Sequence, residues 1–229
     1  MQKKTLGLLL VTILALLAIG GYAYFSKPVK APTETPAQQQ ASAPTIQKEG
    51  NQAIYRIDPL ASSASFSLGE LLRGTQVTVV GTTSDVSGEI AADPASLSNT
   101  HIGEIRINAR TLKTDSPQRN GAIARLILKS ENNANEYITF KPTSVSGVPA
   151  TATVGQSFPF ETTGTLLISG ASKEVTFKGT ASFTSENELK GTAETMVHYA
   201  DWNLNVPKLS FLANVDENTK LTINFVAKK

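Results

Sequence analysis

Apolar and polar residues alternate with a period of two along most of the chain after residue 53. The clearest instance is Glu104–Arg110, which reads EIRINAR, where every second side chain is apolar. Because successive side chains of a β-strand point to opposite faces, this pattern predicts strands with one buried and one solvated face. Similar runs are separated by Gly, Pro, Asn and Asp, which are typical turn residues. The pattern therefore predicts an all-β sandwich or barrel rather than an α/β fold.

Two local patterns add detail to this prediction. Leu167–Val175, which reads LISGASKEV, is typical of a β-hairpin, and Gly170 can adopt the positive φ that a tight turn requires. Within Arg119–Ser130 apolar residues recur at helical spacing instead. We therefore expect one short helix beside the sheet.

The N-terminus carries an uncharged, apolar run, Thr5–Phe25, after the basic residues Lys3 and Lys4. As a helix this run spans about 31 Å, which matches the roughly 30 Å hydrocarbon core of a bilayer. It predicts a transmembrane signal-anchor segment over residues 1–30, a single-pass membrane protein, and a periplasmic or extracellular globular part. Cleavage as a signal peptide, giving a secreted protein, stays open because the run ends in small residues, Gly20, Gly21 and Ala23.

Residues 31–52 are rich in Pro, Ala and Gln and contain almost no large apolar side chains. A segment of this composition buries too little apolar surface to offset its conformational entropy. We therefore expect a disordered linker over residues 31–52, and one globular domain over residues 53–229.

Composition excludes several classes of function. The chain contains no cysteine, so it has neither a disulfide nor a thiolate that could act as nucleophile or metal ligand. From Asn51 onward 16 basic residues face 17 acidic ones, so the domain lacks the positive field that nucleic acids require. His101 and His198 lie far apart, and no nucleophile elbow accompanies them. The sequence predicts a protein that is not an enzyme, with no catalytic residue, no metal site and no cofactor.

Several short motifs follow one another in a distinctive order over about residues 54–227. They are Tyr55–Asp58, Val86–Ile90, Thr114–Asp115 with Arg119–Asn120, Tyr137–Phe140, Gly164–Val175, and Asp201–Leu204 with Lys220–Ile223. The order and spacing of these motifs resemble those of the YceI-like, polyisoprenoid-binding family. Ala61 and Asn120 depart from the family pattern, which often has a histidine and an aspartate there.

The resemblance implies an extended antiparallel, lipocalin-like β-barrel of about eight strands around an apolar channel. A barrel of this size is just wide enough to hold one slender ligand or to be filled by its own side chains. The implied ligand is a polyisoprenoid, such as a polyprenyl phosphate or an isoprenoid quinone, bound without chemistry. Residues of the alternating strands would then line the channel, and the candidates are Ile105, Ile107, Phe140, Leu166, Ile168, Phe177, Phe183 and Phe211.

Three arginines near the predicted helix are candidates for binding a charged lipid headgroup, because a guanidinium binds phosphate oxygens bidentately. Arg119 is the first candidate, followed by Arg110 and Arg125. The alternative to a lipid carrier is a structural or stress-related surface protein whose barrel is filled by side chains, since a filled interior and an open channel give the same alternation. Sequence also leaves open whether the barrel forms a homodimer.

Overall fold

The computed structural model describes residues 21, 23–72, 74–206 and 212–229. Within these ranges thirteen strands form one antiparallel sheet. The strands are β1 (Ala53–Ile57), β2 (Ser63–Leu72), β3 (Thr75–Thr83), β4 (Val86–Ser87), β5 (Glu89–Ala92), β6 (His101–Ile102), β7 (Ile105–Asn108), β8 (Tyr137–Ser146), β9 (Ser157–Ile168), β10 (Ala171–Ser185), β11 (Glu188–His198), β12 (Leu212–Val215) and β13 (Asn218–Lys228).

These strands lie in eight rows, because several short strands follow one another end to end. β1 and β2 both pair with β13 on one side, and β12 continues the row of β13 along β2. β3, β4 and β5 form a third interrupted row, and β6 and β7 form a fourth. From β7 the pairings run through β8, β9, β10, β11 and β13, and β1 and β2 then return to the row of β3 to β5. The all-β prediction is confirmed as a strongly curled antiparallel sheet.

The inner face of the curled sheet holds the hydrophobic core, as the alternation predicts. In β9 every second residue is buried, and Phe158, Phe160, Leu166 and Ile168 are among these inward side chains. The β9–β10 hairpin has the predicted position and a two-residue turn in which Ser169 and Gly170 have φ values of 47° and 82°. Positive φ at both positions is the signature of a type I′ turn, which matches the twist of the flanking strands.

The two ends of the sheet differ in construction. At the loop end, which carries residues 147–156 and 186–187, an aromatic cluster occupies the interior. The Tyr55 and Phe183 ring centroids lie 5.6 Å apart there, and those of Phe158 and Phe183 lie 6.0 Å apart. At the helix end, which carries the Ser169–Gly170 turn, helix α2 (Pro117–Ala122) lies beside the sheet.

Helix α2 is the predicted helix, shifted and altered in its second half. Ser116 caps it by accepting a hydrogen bond from the Arg119 backbone N–H, and a proline occupies its first turn. Residues Ile123–Ile127 continue as a π-helical turn, closed by the Leu128 N–H donating to Ile123 O at 2.8 Å. Such π-turns occur often at functional sites.

The prediction of a disordered linker over residues 31–52 is wrong for the described structure. The segment contains a second helix, α1 (Pro36–Ser42), whose first turn has a complete capping box between Thr35 and Gln38. Gln39 is fully buried, and its side chain donates to Ser87 Oγ at 3.0 Å and Arg106 O at 3.1 Å. Specific polar contacts with distant strands hold the segment, and composition does not reveal such contacts. We refer to residues 23–52 as the strap.

The predicted signal-anchor segment lies mostly outside the described residues. Residue 21 and residues 23–26 are helical and form the end of the apolar run. Across the described ranges, no helix is both long and apolar enough to cross a bilayer. The single-pass anchor therefore remains an expectation from sequence.

Candidate ligand cavity

An inner cavity of about 130 Å³ lies between the inward side chains of the curled sheet. Its wall is almost wholly apolar because alternation along each strand turns the aliphatic and aromatic side chains inward. Phe140 and Phe177 meet edge to face there, with ring centroids 5.0 Å apart. Six of the residues predicted to line a channel form part of this wall: Ile105, Ile107, Phe140, Leu166, Ile168 and Phe177.

A larger outer cavity of about 450 Å³ lies at the helix end, between the sheet and the α2 region. The π-helical turn contributes Ile123, Leu126 and Ile127 to its wall. A π-turn widens the helix, so neighbouring apolar residues of this turn face the same cavity. The remaining apolar wall comes from the strands, the strap and the turn after β11, and includes Phe25, Leu68, Val79, Val197, Trp202, Leu204 and Val215.

The inner and outer cavities adjoin one another. Five residues belong to the walls of both: Phe66, Leu112, Ile138, Ile168 and Leu221. An apolar wall therefore continues from the helix end into the interior of the sheet. The outer cavity alone has the volume typical of small-molecule sites, and apolar walls with few polar groups are usual for such sites.

One predicted channel residue, Phe183, lies elsewhere in the interior of the sheet. Phe183 is fully buried in the aromatic cluster at the loop end and contributes to neither cavity wall. It faces inward as predicted, but alternation gives only the face of a residue and not its level along the sheet. Phe211 lies outside the described residues.

Arg119 is part of the outer cavity wall, but two carboxylates already neutralise it. Its Nη2 lies 3.0 Å from Glu70 Oε1, and its Nη1 binds Asp115 Oδ1. The Glu70 carboxylate is itself largely buried. The three side chains together carry one net negative charge. This part of the opening of the outer cavity at the helix end, which we call the mouth, therefore does not favour an anionic group.

Arg110 is a buried structural residue rather than a headgroup ligand. Its side chain is fully buried and its Nη1 lies 2.6 Å from Glu136 Oε2. The remaining donors bind Ser130 O at 2.7 Å, Asn133 Oδ1 at 2.8 Å, Ala31 O at 3.2 Å and Glu131 O at 3.3 Å. No donor is left for a ligand.

Arg125 binds the strap at the rim of the outer cavity. Its Nη2 donates to Lys27 O at 3.1 Å and Pro28 O at 2.9 Å, and also lies 3.1 Å from Glu131 Oε1. Its guanidinium carbon lies 5.3 Å from the centre of the Tyr24 ring. Arg125 therefore fixes the position of the strap.

Sequence reasoning missed most of the outer cavity. Trp202 lies in the cavity wall, where its Nε1 donates to Leu166 O at 3.0 Å. The strap and the π-turn meet this wall from distant parts of the chain, so no periodic pattern marks it. Phe66 and Ile138, by contrast, lie in alternating strands and could have been included with the predicted residues.

A polar groove of about 720 Å³ lies on another side of the strap, lined by Glu34, Asp85 and Lys113 among others. Asp85 is almost fully buried and its Oδ1 has no hydrogen-bond partner in the described structure. Burial, with contributions from the Glu136 and Glu34 charges, raises the pKa of Asp85 from 3.8 to about 6.

The two histidines are exposed and lie in different elements; His198 Nδ1 is 3.7 Å from Glu217 Oε2.

Comparison with known proteins places this fold. Among solved structures, BcnA of Burkholderia cenocepacia has 16% identity and a TM-score of 0.59, covering 75% of this chain and 99% of its own. A polyisoprenoid binding domain from Saccharophagus degradans, described as implicated in plant cell wall breakdown, has 15% identity and a TM-score of 0.58, covering 76% of this chain and 97% of its own. At these identities the likeness shows the fold alone.

No curated protein sequence matches the chain. A family model described as the YceI-like domain, however, matches residues 55–227. Because that match covers most of the chain and coincides with the curled sheet, the chain belongs to the YceI-like family.

Proposed function

We propose that this protein binds one long apolar lipid of the isoprenoid type, without chemical conversion, in the adjoining outer and inner cavities. The observation that carries the proposal is the shared apolar wall, in which Phe66, Ile138 and Leu221 belong to both cavities. The likeness to a solved polyisoprenoid binding domain supports the same ligand class.

The physical basis of binding is burial of the lipid chain. Each methylene-sized group moved from water to an apolar wall contributes about 0.8 kcal/mol. A slender, branched chain follows a narrow path, with its tail in the inner cavity and its head at the helix end. The aromatic cluster of Tyr55, Phe158 and Phe183 closes the opposite end and limits how deep the tail reaches.

The charges at the mouth favour a lipid with an uncharged head. Among the described residues of the outer cavity wall, Arg119 is the cation, and its pairing with Glu70 and Asp115 leaves that group with net negative charge. An isoprenoid quinone suits this mouth better than a polyprenyl phosphate, because a phosphate would have to displace two carboxylates from Arg119. Gln118 and Tyr199 also lie in the wall and offer hydrogen bonds to a neutral head.

The proposed setting is the outer face of the cytoplasmic membrane. The apolar run Thr5–Phe25 tethers the protein as a single-pass anchor, and the domain is extracytoplasmic. The strap then joins anchor and sheet, so the cavity works within reach of the bilayer. In this setting the protein sequesters or transfers its lipid near the membrane.

A second candidate is a surface protein whose sheet encloses no ligand. The small volume of the inner cavity, about 130 Å³, favours this candidate because the interior is largely filled by its own side chains. The 450 Å³ outer cavity favours the lipid binder. Occupancy of the outer cavity therefore decides between the two candidates.

The deciding experiment is native mass spectrometry of the full chain purified from a membrane-containing host, followed by organic extraction and lipid identification. A stoichiometric isoprenoid supports the proposal, and a quinone rather than a polyprenyl phosphate supports the mouth assignment. Consistently empty protein that also fails to take up added quinone or polyprenyl phosphate would establish the filled surface protein instead.

A matched pair of variants locates the bound lipid. Ala122 lies in the outer cavity wall, whereas Ala134 is exposed on a neighbouring helical turn. Ala122→Phe fills part of the cavity, so we expect it to weaken binding at least about tenfold, corresponding to about 1.4 kcal/mol. Ala134→Phe should leave binding unchanged. Trp202 is the single tryptophan, so its fluorescence reports occupancy in both variants.

A further inference from the structure

The start of the strap is fixed at the mouth of the outer cavity. Phe25 contributes its side chain to the cavity wall, and its carbonyl oxygen rests against Gly121 of helix α2, where a Cβ atom would collide with it. Arg125 holds the next turn through Lys27 O and Pro28 O. Ser26 Oγ accepts a further hydrogen bond from Gln118 Nε2 at 3.3 Å. The chain therefore enters the described structure at the cavity mouth.

The rim of this mouth exposes apolar and basic side chains together. Tyr24 is 48% exposed and Leu126, which also contributes to the cavity wall, is 39% exposed. Lys27 and Lys129, which follow Tyr24 and Leu126 by three residues each, are also exposed. Tyrosine at the edge of an apolar span and lysine just beyond it are the usual composition of a segment in the headgroup region of a bilayer.

The apolar run lies directly before the mouth in the sequence, and this short separation determines which surface the rim faces. The apolar run Thr5–Phe25 ends at Phe25 itself, so no spacer separates it from the cavity. Gly21 and Phe25 are four residues apart, about 6 Å along a helix. If Thr5–Phe25 crosses the bilayer, the rim must lie at the bilayer surface.

We propose that the helix end of the sheet docks on the outer surface of the bilayer that anchors it, with Tyr24 and Leu126 in the interfacial layer. This inference rests on the proposed function in its membrane setting. A docked mouth lets an isoprenoid pass between bilayer and cavity without exposing its chain to water. The strap thus acts as an orienting device and not as a flexible tether.

The charge of the rim predicts which lipid composition of the bilayer favours docking. Basic residues are attracted to a bilayer of anionic lipids within a screening distance of about 10 Å at 0.1 M salt. Lys27 and Lys129 provide two such charges at the rim, of which the net negative charge of the Arg119, Glu70 and Asp115 group at the same mouth offsets one. Docking should therefore be stronger on vesicles of phosphatidylethanolamine and phosphatidylglycerol than on phosphatidylcholine alone, and salt should weaken it.

Because the chain contains no cysteine, single labels test the orientation cleanly. Leu126→Cys and Val154→Cys each replace an exposed aliphatic residue, at the helix end and the loop end respectively. The full chain is reconstituted into phosphatidylethanolamine–phosphatidylglycerol vesicles, and each variant carries an environment-sensitive fluorophore. We expect spin-labelled lipids to quench the label at position 126 at least about threefold more strongly than the label at position 154.

Three results would overturn the proposal. They are equal quenching at both positions, stronger quenching at position 154, and shielding of position 126 that depends on protein concentration and not on lipid. The last result would show that a second copy of the chain covers the mouth. None of these results requires that the protein bind a ligand, so the docking and the proposed function are tested separately.

A transfer assay then tests what docking does. Tyr24→Asp places a charge on the rim outside the cavity wall, and Val154→Asp places the same charge on a residue with the same 48% exposure at the loop end. For quinone supplied in detergent, both variants should bind as the unaltered chain does. For quinone supplied in vesicles, Tyr24→Asp should slow the loading of the cavity at least about tenfold, and Val154→Asp should not. Equal loading rates from vesicles would overturn the transfer role.

Discussion

At the scale of single residues, the Arg110–Glu136 pair links the strap to the sheet. Both side chains are fully or almost fully buried, and the Thr33 N–H and hydroxyl donate to the Glu136 carboxylate at 2.7 and 2.9 Å. Asn108 Nδ2 adds a fourth bond at 3.2 Å. A buried ion pair contributes little net stability over an apolar pair, but removing one partner leaves an uncompensated charge.

We therefore predict that Glu136→Gln lowers the free energy of unfolding by about 3–5 kcal/mol, because Arg110 would remain charged and buried. Glu161→Gln is the matched control. Glu161 pairs with Lys178 at 2.9 Å on the solvated face, and its loss should cost under about 1 kcal/mol. Urea unfolding of both variants provides the measurement. Equal losses would contradict the structural role of the buried pair.

Asp85 predicts a specific dependence of stability on pH. Its pKa is raised from 3.8 to about 6 by burial and by the Glu136 and Glu34 charges, so the folded protein binds this proton more tightly than the unfolded chain does. The associated stability is present below pH 3.8 and is lost as pH rises through about 6. Above that pH a buried charge remains.

Asp85→Asn should remove this pH-dependent contribution to stability, because the amide is neutral at every pH. We expect the melting temperature of the variant, relative to the unaltered chain, to rise between pH 4 and pH 7 and then level off. Thermal unfolding across this range measures the difference and cancels the contributions of other carboxylates. A constant difference would show that Asp85 titrates as an exposed aspartate does.

At the scale of elements, the sequence predicts the strands and turns that hydrophobic periodicity determines. It does not predict segments whose structure depends on single polar contacts. The strands and the β9–β10 hairpin follow from alternation and from Gly170, and six of the nine predicted site residues reach the inner cavity wall for the same reason. The strap has no period and little apolar surface. Its fold depends on Gln39, Thr33 and Ile46, which bind distant groups that no local pattern identifies.

Hydrogen exchange distinguishes a folded strap from a linker. The Gln39 and Ala43 N–H groups donate within α1 at 2.8 and 3.0 Å, and the Ile46 N–H donates to Glu89 Oε2 at 3.0 Å. We expect these amides to exchange at least about tenfold more slowly than the amides of an unstructured chain. This factor corresponds to a local opening free energy of about 1.4 kcal/mol. The Gln39→Ala variant should reduce this protection, since it removes the bonds to Ser87 and Arg106. Unprotected amides in the unaltered chain would restore the linker interpretation.

At the scale of the whole molecule, the two ends of the curled sheet have opposite properties. The helix end carries the 450 Å³ cavity and the start of the strap, and the loop end is filled by Tyr55, Phe158 and Phe183. If the proposed lipid enters at the helix end, this aromatic cluster limits how deep its chain reaches. The depth of the cavity then sets the length of lipid chain that it accepts.

Chain length should consequently control affinity up to a limit. Affinity should rise with each added isoprenoid unit while the unit finds apolar wall, and should level off once the inner cavity is full. Phe177→Ala enlarges the inner cavity, so we expect the limit to move to a longer chain. Leu97→Ala is the control, because Leu97 is buried in the core but contributes to neither cavity wall.

The two variants cost comparable stability, about 3–5 kcal/mol for the phenylalanine and about 2–5 kcal/mol for the leucine, so a general loosening of the fold would affect both alike. Titration of Trp202 fluorescence with quinones of increasing length measures the limit for each protein. A limit that moves only in Phe177→Ala locates the tail in the inner cavity. A limit that is unchanged in both variants would confine the lipid to the outer cavity, and the inner cavity would then be ordinary core.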